Sequence, residues 1–354
     1  MIYQNFPQSR LRRTRQAPWI RNLTRENVLT PHDLLLPLFV HDKQDDTPVA
    51  NLPSVARLSL TSLVKTAQEA ASLGIPAVLL FPVIDPYLKN DRGFEALNAD
   101  GLICRAIKAI KNAVPDIGII CDVALDPYTT HGHDGVLNDK GDVDNDATLE
   151  LLAQQAWVLA DAGADCVAPS DMMDGRVAKI RAILEDNNHT NTLIMSYTAK
   201  YASALYAPFR DAVGSKGALK GDKKNYQMDG GNASEAIREA MQDVHEGADM
   251  LIVKPALPYL DILQNVKKAT GLPTFAYQVS GEYAMLHAAA RAGVLDYDQA
   301  IMETLLSCKR AGADGIITYA ALDVAKRLYS RSKIKLPAGE NDCNRAKVYT
   351  SVHE

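Results

Sequence analysis

Short runs of apolar residues recur along the chain, and most are apolar throughout rather than alternating with polar residues. Continuous runs of this length are typical of strands buried on both faces, as in a parallel sheet. Eight strands are predicted on this basis: Leu34–Val40, Ala77–Val83, Ile117–Leu125, Cys166–Ser170, Thr192–Thr198, Asp249–Lys254, Thr274–Ser280 and Gly315–Ala320.

Amphipathic segments lie between these runs, and glycines that favour helix termination follow several of them. The segments with helical spacing include Thr61–Leu73, Ile103–Ala113, Thr148–Ala162, Arg176–Glu185, Ser234–Glu246 and Tyr259–Ala269. Three near copies of one phrase each join a helix to the next strand: Ala162–Asp165, Glu246–Asp249 and Ala311–Asp314. This repetition indicates equivalent loops on one face of a repeated β/α unit.

Eight β/α units predict an α/β fold, the (β/α)8 TIM barrel, whose active site lies at the carboxyl ends of the strands. We expect residues 1–30 to form an extended N-terminal arm that makes oligomer contacts, and residues 31–354 to form the catalytic barrel. The alternative is a doubly wound open sheet. That fold calls for a glycine-rich phosphate loop after an early strand, and the sequence has none.

Composition narrows the class of protein. The 354 residues are 47% hydrophobic and 23% charged, which suits a globular enzyme with a large core. The net charge of -5 gives no reason to expect nucleic acid, and no apolar run is long enough to cross a membrane. Five scattered cysteines indicate reduced thiols and a cytoplasmic location. The arginine-rich segment 9–16 suits an ordered arm better than the alternative of a transit peptide, because it leads directly into Trp19 and a strand.

Two lysines, Lys200 and Lys254, end the predicted fifth and sixth strand regions, where a barrel places its catalysts. Burial and a second nearby ammonium both lower the pKa of a lysine, and the free amine is then a nucleophile that attacks ketones to form Schiff bases. Two such amines suggest two carbonyl substrates. The alternative is that each lysine lies along apolar surface and extends its ammonium into water.

Other polar residues end the remaining strands and form two further candidate features. Asp126, His131, His133 and Asp134 offer oxygen and nitrogen ligands for magnesium or another hard ion, although aspartates in such loops also cap turns. A long glycine- and lysine-rich segment, residues 207–227, suits a lid over the site, with a solvated basic loop as the alternative.

At these residues the chain resembles the porphobilinogen synthase family, also called the 5-aminolevulinate dehydratases. The matching segments are Cys121–Gly135, Ala168–Gly175, Met195–Lys200, Tyr206–Ala212, Met250–Asp261, Tyr277–Ala284 and Ala311–Tyr319. The resemblance implies a TIM barrel with an N-terminal arm, in a homo-oligomer that is usually an octamer. It also implies a lyase (hydro-lyase) that condenses two 5-aminolevulinate molecules to porphobilinogen in tetrapyrrole and haem biosynthesis. No organic cofactor, nucleic acid or membrane is implied.

The resemblance also assigns roles to individual residues. Lys254 and Lys200 resemble the two Schiff-base lysines, with Lys254 holding the substrate that contributes the propionyl side. Asp122 and Ser170 would receive the amino group of that substrate. The residues that match the substrate contacts are Tyr206, Phe209, Arg210, Lys223 and Gln227 in the lid region, together with Ser280 and Tyr319. Arg210, Lys223 and Gln227 would hold the carboxylate of the substrate on Lys200. Ser280 and Tyr319 would hold the carboxylate of the substrate on Lys254.

The metal loop departs from the zinc-dependent members, which have three cysteines there. This chain has Ala124, Asp126 and Asp134, so the resemblance implies no cysteine-bound zinc and leaves open magnesium at the aspartates, a monovalent ion, or no ion. Glu239 resembles the glutamate that holds an allosteric magnesium through mostly water ligands, with Asp171 bonded to those waters. An exposed helix residue is the alternative for Glu239.

Two rival functions remain. One is another Schiff-base enzyme, an aldolase, against which the second lysine argues because an aldolase needs only one. The other is a non-catalytic assembly or nucleic-acid-binding protein that uses the basic arm, against which the acidic net charge argues.

Overall fold

The chain folds into a barrel of parallel strands. The computed structural model describes residues 5–213, 219 and 221–332, and only the backbone at residues 210, 211, 331 and 332. In the described part the strands are β1 Leu34–His41, β2 Thr47–Pro48, β3 Ala56–Leu58, β4 Ala77–Val83, β5 Gly118–Val123, β6 Cys166–Pro169, β7 Leu193–Lys200, β8 Met250–Lys254, β9 Thr274–Tyr277 and β10 Gly315–Ile317.

Eight of these strands pair in parallel and close on themselves. β1 pairs with β4, each strand from β4 to β9 pairs with the next one, and β10 returns to β1, with Leu34 opposite Ile316. All eight predicted strands are present, and the TIM barrel is confirmed. The seventh and eighth end three residues earlier than predicted, at Tyr277 and Ile317. Ser280 therefore begins a helix instead of ending the seventh strand. The short antiparallel pair β2–β3 lies beside β1.

Helices cover the outside of the barrel. They are α1 Pro18–Leu23, α2 Leu60–Ser72, α3 Leu102–Ala113, α4 Asn145–Asp161, α5 Arg176–Asp186, α6 Ala207–Ala212, α7 Ser234–Glu246, α8 Leu260–Thr270, α9 Ser280–Arg291, α10 Tyr297–Arg310 and α11 Ala321–Ser332. Their apolar stripes face the strands: in α3, Ile103, Ile107 and Ile110 recur at helical spacing and are buried. Within the described residues, every helix is too short or too polar to span a bilayer.

The three near-identical glycine-alanine-aspartate phrases are equivalent loops, as predicted. Each glycine has a positive φ, between 103° and 109°, that ends its helix in a conformation that glycine adopts without strain. Each aspartate accepts the backbone N–H of a residue in the preceding strand of the barrel. The pairs are Asp165 with Ile119 at 2.7 Å, Asp249 with Ile194 at 2.8 Å, and Asp314 with Thr274 at 2.7 Å. These carboxylates link adjacent strands at the amino-terminal face of the barrel, opposite the lysines.

The segment before the first strand contains α1 and leaves several large apolar side chains exposed. Phe6, Leu11, Trp19 and Leu23 are each at least 69% exposed in the single chain. The domain limits of 1–30 and 31–354 stay predictions, and residues 333–354 lie outside the part that the structure describes.

Candidate active site

The two candidate lysines stand side by side at the carboxyl ends of neighbouring strands. Lys200 ends β7 and Lys254 ends β8, and their Cα atoms are register partners. Each residue is only 6% exposed, and both line one cavity in the mouth of the barrel. The predicted pairing of two buried amines at the strand ends is therefore present.

Aromatic rings surround the Lys254 amine. Its Nζ lies 4.5 Å from the ring centre of Tyr277, 5.1 Å from those of Tyr197 and Phe209, and 5.4 Å from that of Tyr206. Burial, followed by the charge of Lys200, lowers the pKa of Lys254 to about 7. A large fraction of this amine is therefore uncharged, and nucleophilic, near neutral pH.

Charged groups surround the Lys200 amine instead. Its Nζ donates to the Ser170 carbonyl and lies 3.5 Å from Asp134 Oδ1. A third lysine, Lys223, lies across the two aspartates of the candidate metal loop, with its Nζ 3.3 Å from Asp126 Oδ2 and 2.8 Å from Asp134 Oδ2. Burial would raise the pKa of Asp134, but Lys200 and Lys223 outweigh it and hold that pKa well below its ordinary value. Lys223 thus occupies the position in which a cation would neutralise this loop.

Asp122 and Ser170 lie close to both amines. Asp122 belongs to β5, Ser170 directly follows β6, and both line the same cavity. Burial raises the pKa of Asp122 to about 7 against the opposing charges of Lys200 and Lys254. A carboxyl group that titrates near neutral pH beside two amines is suited to proton transfer.

The predicted lid covers the site with α6 and the residues beside it. Phe209 packs between Phe39 and Phe81, with ring centres 5.6 Å and 5.2 Å away. Tyr206 donates its hydroxyl to the Tyr201 carbonyl at 2.6 Å, and Arg57 Nε donates to the Ala212 carbonyl at the end of α6, at 2.7 Å. The lid segment is therefore held on the barrel by aromatic packing of Phe209 and by hydrogen bonds to backbone carbonyls.

Of the remaining predicted contacts, Gln227 lines the charged side of the cavity, whereas Ser280 and Tyr319 are not among its lining residues. Ser280 accepts the backbone N–H of Phe209 at 3.0 Å, and the Tyr319 hydroxyl is 3.4 Å from that of Tyr277, so both lie behind the aromatic side. The side chain of Arg210 lies outside the described part of the structure, as do residues 214–218 and 220 of the lid segment.

The cavity between these groups is small. Its free volume is about 40 Å³, which is room for only a few water molecules.

Glu239 lies elsewhere, in an acidic cleft on the outside of the barrel between α5 and α7. The cleft is lined mainly by carboxylates and amides, which are Asn145, Asp146, Asp174, Glu239, Gln242, Asp243 and Glu246, and also by Arg176 and Arg238. Burial raises the pKa of Glu239, and the nearby carboxylates add to the rise against the opposing charge of Arg176. Asp171 is fully buried, with its Oδ2 3.9 Å from Arg176 Nε. Arg176 therefore lies between the cleft and Asp171.

The described residues contain no group of three or more histidine, cysteine, aspartate and glutamate side chains that is placed to hold an ion. The two histidines of the loop bond within the protein, since His133 donates its backbone N–H to His131 Nδ1 and its own Nδ1 lies 3.1 Å from the Tyr226 hydroxyl.

Several residues of the site were not singled out from the sequence. Phe39 and Phe81 form the wall on which Phe209 packs, and Arg57 bonds the end of α6. The two phenylalanines lie inside predicted strands, where an apolar residue is expected for packing alone. Nothing in the sequence around Phe39 and Phe81 therefore distinguishes residues that line the site from residues that only pack in the core.

Comparison with known proteins identifies relatives along most of the chain. The family model described as delta-aminolevulinic acid dehydratase matches residues 8–327. A curated delta-aminolevulinic acid dehydratase of Bradyrhizobium diazoefficiens is 53% identical over 320 residues, which are 90% of this chain and 90% of that protein. One of Rhodobacter capsulatus is 47% identical over 92% of this chain and 98% of that protein.

A solved structure agrees with these sequence relatives. The delta-aminolevulinic acid dehydratase (porphobilinogen synthase) of Toxoplasma gondii, in complex with its reaction product porphobilinogen, has a TM-score of 0.90 and 48% identity. The match covers 93% of this chain and 95% of that one.

Proposed function

The chain belongs to the delta-aminolevulinic acid dehydratase family, and we propose that Lys254 and Lys200 each bind one substrate molecule as a Schiff base. The activity is that of a hydro-lyase, the condensation of two 5-aminolevulinate molecules to porphobilinogen with loss of water, in haem biosynthesis. The observation that supports the two-lysine mechanism most directly is that both amines line one cavity as register partners.

Lys254 is suited to attack a ketone. Its pKa of about 7 leaves free amine available, and the surrounding rings exclude the water that would stabilise the ammonium. Addition of the amine to the substrate carbonyl gives a carbinolamine, and loss of water from it gives the imine. Asp122 and Ser170 lie next to the reacting atoms, where they would receive the amino group of this substrate and exchange protons with it.

The two substrate carboxylates have separate partners in this proposal. Ser280 and Tyr319 would hold that of the substrate on Lys254, since they lie behind its aromatic side. Arg210, Lys223 and Gln227 would hold that of the substrate on Lys200. Lys223 provides a point charge rather than the planar fork of an arginine, so its contact with a carboxylate is less directional.

The proposed function is tested by combining a product assay with covalent trapping. Purified enzyme is incubated with 5-aminolevulinate, the pyrrole is measured by a colorimetric reagent, and borohydride-reduced adducts are mapped by mass spectrometry. We expect pyrrole formation and adducts on both lysines. Trapping of a sugar phosphate on a single lysine, with no pyrrole formed, would instead identify an aldolase.

We further propose that the Asp126–Asp134 loop uses Lys223 in place of a metal ion. The ammonium lies within 3.3 Å of both carboxylates, and burial of Lys223 is outweighed by their charges, which raise its pKa. A divalent ion at the same position would face this ammonium at close range. The arrangement therefore does not fit magnesium at Asp126 and Asp134, and no thiolate is present in the loop for zinc.

Insensitivity to lead and to peroxide is expected from this loop. Soft metals and oxidants act on thiolates, and the loop has aspartates instead. Burial also raises the pKa of Cys104 to about 11 and that of Cys308 to about 12, so these thiols are poor targets. Activity is measured after treatment at concentrations that inactivate a three-cysteine relative, with Cys343→Ser as a control for the cysteine outside the described residues. Strong inhibition that zinc or a reductant reverses would contradict the proposal.

An allosteric magnesium is proposed at Glu239. The cleft fits a hard cation because its half-buried Glu239 carboxylate has a raised pKa and lies among other carboxylates. Since no three ligands converge there, the ion would keep most of its waters. Bound magnesium would neutralise the cleft and favour the assembled enzyme by mass action.

Glu239→Ala is expected to abolish magnesium stimulation while retaining basal turnover, and to shift the enzyme toward smaller assemblies. The reason is that the carboxylate that binds the ion is lost, while the barrel mouth is unchanged. Activity and size-exclusion profiles are measured across a magnesium titration after chelation. Glu303→Ala, an exposed glutamate on α10, serves as the control. A full magnesium response in Glu239→Ala would place the activating ion elsewhere.

The oligomer and the compartment are also proposals. The exposed apolar side chains before β1, among them Trp19 and Leu23, suit burial against another copy of this chain in a homo-octamer. The described cysteines Cys104, Cys121, Cys166 and Cys308 are free thiols, which suits the cytoplasm.

A further inference from the structure

Glu282 is a buried carboxylate that connects the two sides of the Lys254 site. It lies in the first turn of α9 and is only 1% exposed. Its Oε1 accepts the backbone N–H of Leu257 at 2.6 Å, and its Oε2 accepts those of Val279 at 2.7 Å and Ala256 at 3.3 Å. One side chain thus joins two backbone segments that are distant in sequence.

Both segments adjoin groups of the proposed site. Ala256 and Leu257 follow Lys254 by two and three residues, and Val279 directly precedes Ser280. Ser280 in turn accepts the backbone N–H of Phe209 in the lid helix, at 3.0 Å. The short chain lengths mean that a shift of the Glu282 carboxylate moves the end of β8 relative to the start of α9.

The helix start is held close to the lid by a second feature. A Cβ built on Gly281 would lie 2.5 Å from the Leu205 carbonyl oxygen, so only glycine allows the first turn of α9 to approach this backbone. The first turn of α9 is therefore enclosed by the lid backbone on one side and by the turn after Lys254 on another. Glu282 is the group that bonds it to that turn.

We propose that Glu282 is a positioning residue that fixes the Lys254 amine relative to Ser280. The proposal rests on the Schiff-base function of Lys254 and on Ser280 as a carboxylate contact. With this distance fixed, the ketone of one substrate reaches the amine while its carboxylate reaches Ser280. Small errors in such alignment cost up to about 10²-fold in rate.

Glu282→Gln is the substitution that tests this role with the least change in shape. A glutamine has a single carbonyl oxygen, and its NH2 group would face a backbone N–H that the carboxylate now accepts. At least one of the three hydrogen bonds is therefore lost, and the turn after Lys254 is released. The matched control is Asp249→Asn. Asp249 directly precedes β8, the strand that Lys254 ends, and its Oδ2 likewise accepts a backbone N–H, that of Ile194 at 2.8 Å.

The experiment measures where 5-aminolevulinate is trapped. Enzyme is mixed with substrate and borohydride, and labelled Lys254 and Lys200 peptides are quantified over time beside the melting temperature. In Glu282→Gln we expect the ratio of Lys254 to Lys200 labelling to fall about tenfold or more, within the range that misalignment produces. Asp249→Asn is expected to lower the melting temperature and to leave the ratio of Lys254 to Lys200 labelling unchanged, because it acts on stability alone.

The outcomes separate this proposal from the one that it rests on. Wild-type enzyme that traps substrate on neither lysine would refute the Schiff-base function itself. Wild-type enzyme that traps on both, with the same ratio in folded Glu282→Gln, would refute the positioning role. If Glu282→Gln does not fold, Glu282→Asp is measured in the same way, since it keeps the charge but is one methylene too short to reach both segments. A wild-type ratio in that variant would equally overturn the proposal.

Discussion

Lys254→Ala is expected to form no detectable porphobilinogen, a loss on the order of 10⁴-fold or more, as enzymes show when they lose a covalent nucleophile. Burial, followed by the charge of Lys200, lowers the pKa of this amine to about 7. Water that enters the truncated site cannot form an imine, so no alternative route to the intermediate exists. The measurement is the colorimetric pyrrole assay at saturating substrate, sensitive enough to detect residual turnover.

The specificity of this loss is checked by two further observations. Borohydride trapping of Lys254→Ala should still label Lys200, which would show that the fold and the second site survive. Lys268→Ala, an exposed lysine on α8, should retain wild-type turnover. Residual activity of Lys254→Ala within about tenfold of wild type would be incompatible with a covalent role for this lysine.

The barrel itself could be predicted because its strands are buried on both faces. Each strand needs a continuous apolar run, and such runs appear directly in the sequence. The three repeated loops were informative for a local reason: a glycine ends the helix and an aspartate bonds the neighbouring strand, so both functions are encoded within four residues. Lys200 and Lys254 followed from their places at the ends of such runs.

What could not be predicted depends on contacts between distant segments. The rings around Lys254 come from β7, β9 and the lid, and nothing local to Phe209 indicates that it packs against Phe39 and Phe81. The end of β9 was placed too late because Val279 continues the apolar run, although the Glu282 carboxylate accepts its N–H and starts α9. Lys223 was expected to contact substrate, but its bridge between Asp126 and Asp134 needs two loops that are nearly a hundred residues apart.

These contacts give the two amines different surroundings, although the two lysines end adjacent strands. Lys254 is surrounded by aromatic rings, whereas Lys200 has Asp134 and the Ser170 carbonyl beside it. The charge of Lys200 contributes to the lowered pKa of Lys254, in addition to the Schiff base that Lys200 itself is proposed to form. The charge of Lys200 can therefore be tested separately from its chemistry.

Lys200→Met is expected to lower turnover severely and to move the pH dependence of adduct formation at Lys254 upward. In wild type, trapping at Lys254 should rise as pH increases through about 7, because both the free amine and the Asp122 carboxylate form over that range. After burial, the Lys200 charge is the largest cause that lowers the Lys254 pKa. Without the Lys200 charge, the ammonium form of Lys254 persists to higher pH, so the free amine forms only at higher pH. The pKa of Asp122 also rises without the Lys200 charge, and the neutral carboxyl group then supports the Lys254 ammonium less. This opposing effect is smaller, because the Asp122 charge acts on Lys254 less strongly than that of Lys200.

Lys200→Arg separates the two roles of this residue, because a guanidinium keeps the positive charge and forms no Schiff base. It should lose turnover much as Lys200→Met does, since the second substrate has no amine to bind in either variant. Its trapping curve at Lys254 should nevertheless stay near that of wild type, while the curve of the methionine variant lies at higher pH. Initial rates of borohydride trapping on Lys254, measured from pH 5 to 10, give both curves. If the methionine and arginine variants titrate alike, the charge of Lys200 does not set the reactivity of Lys254, and burial among the rings alone must account for it.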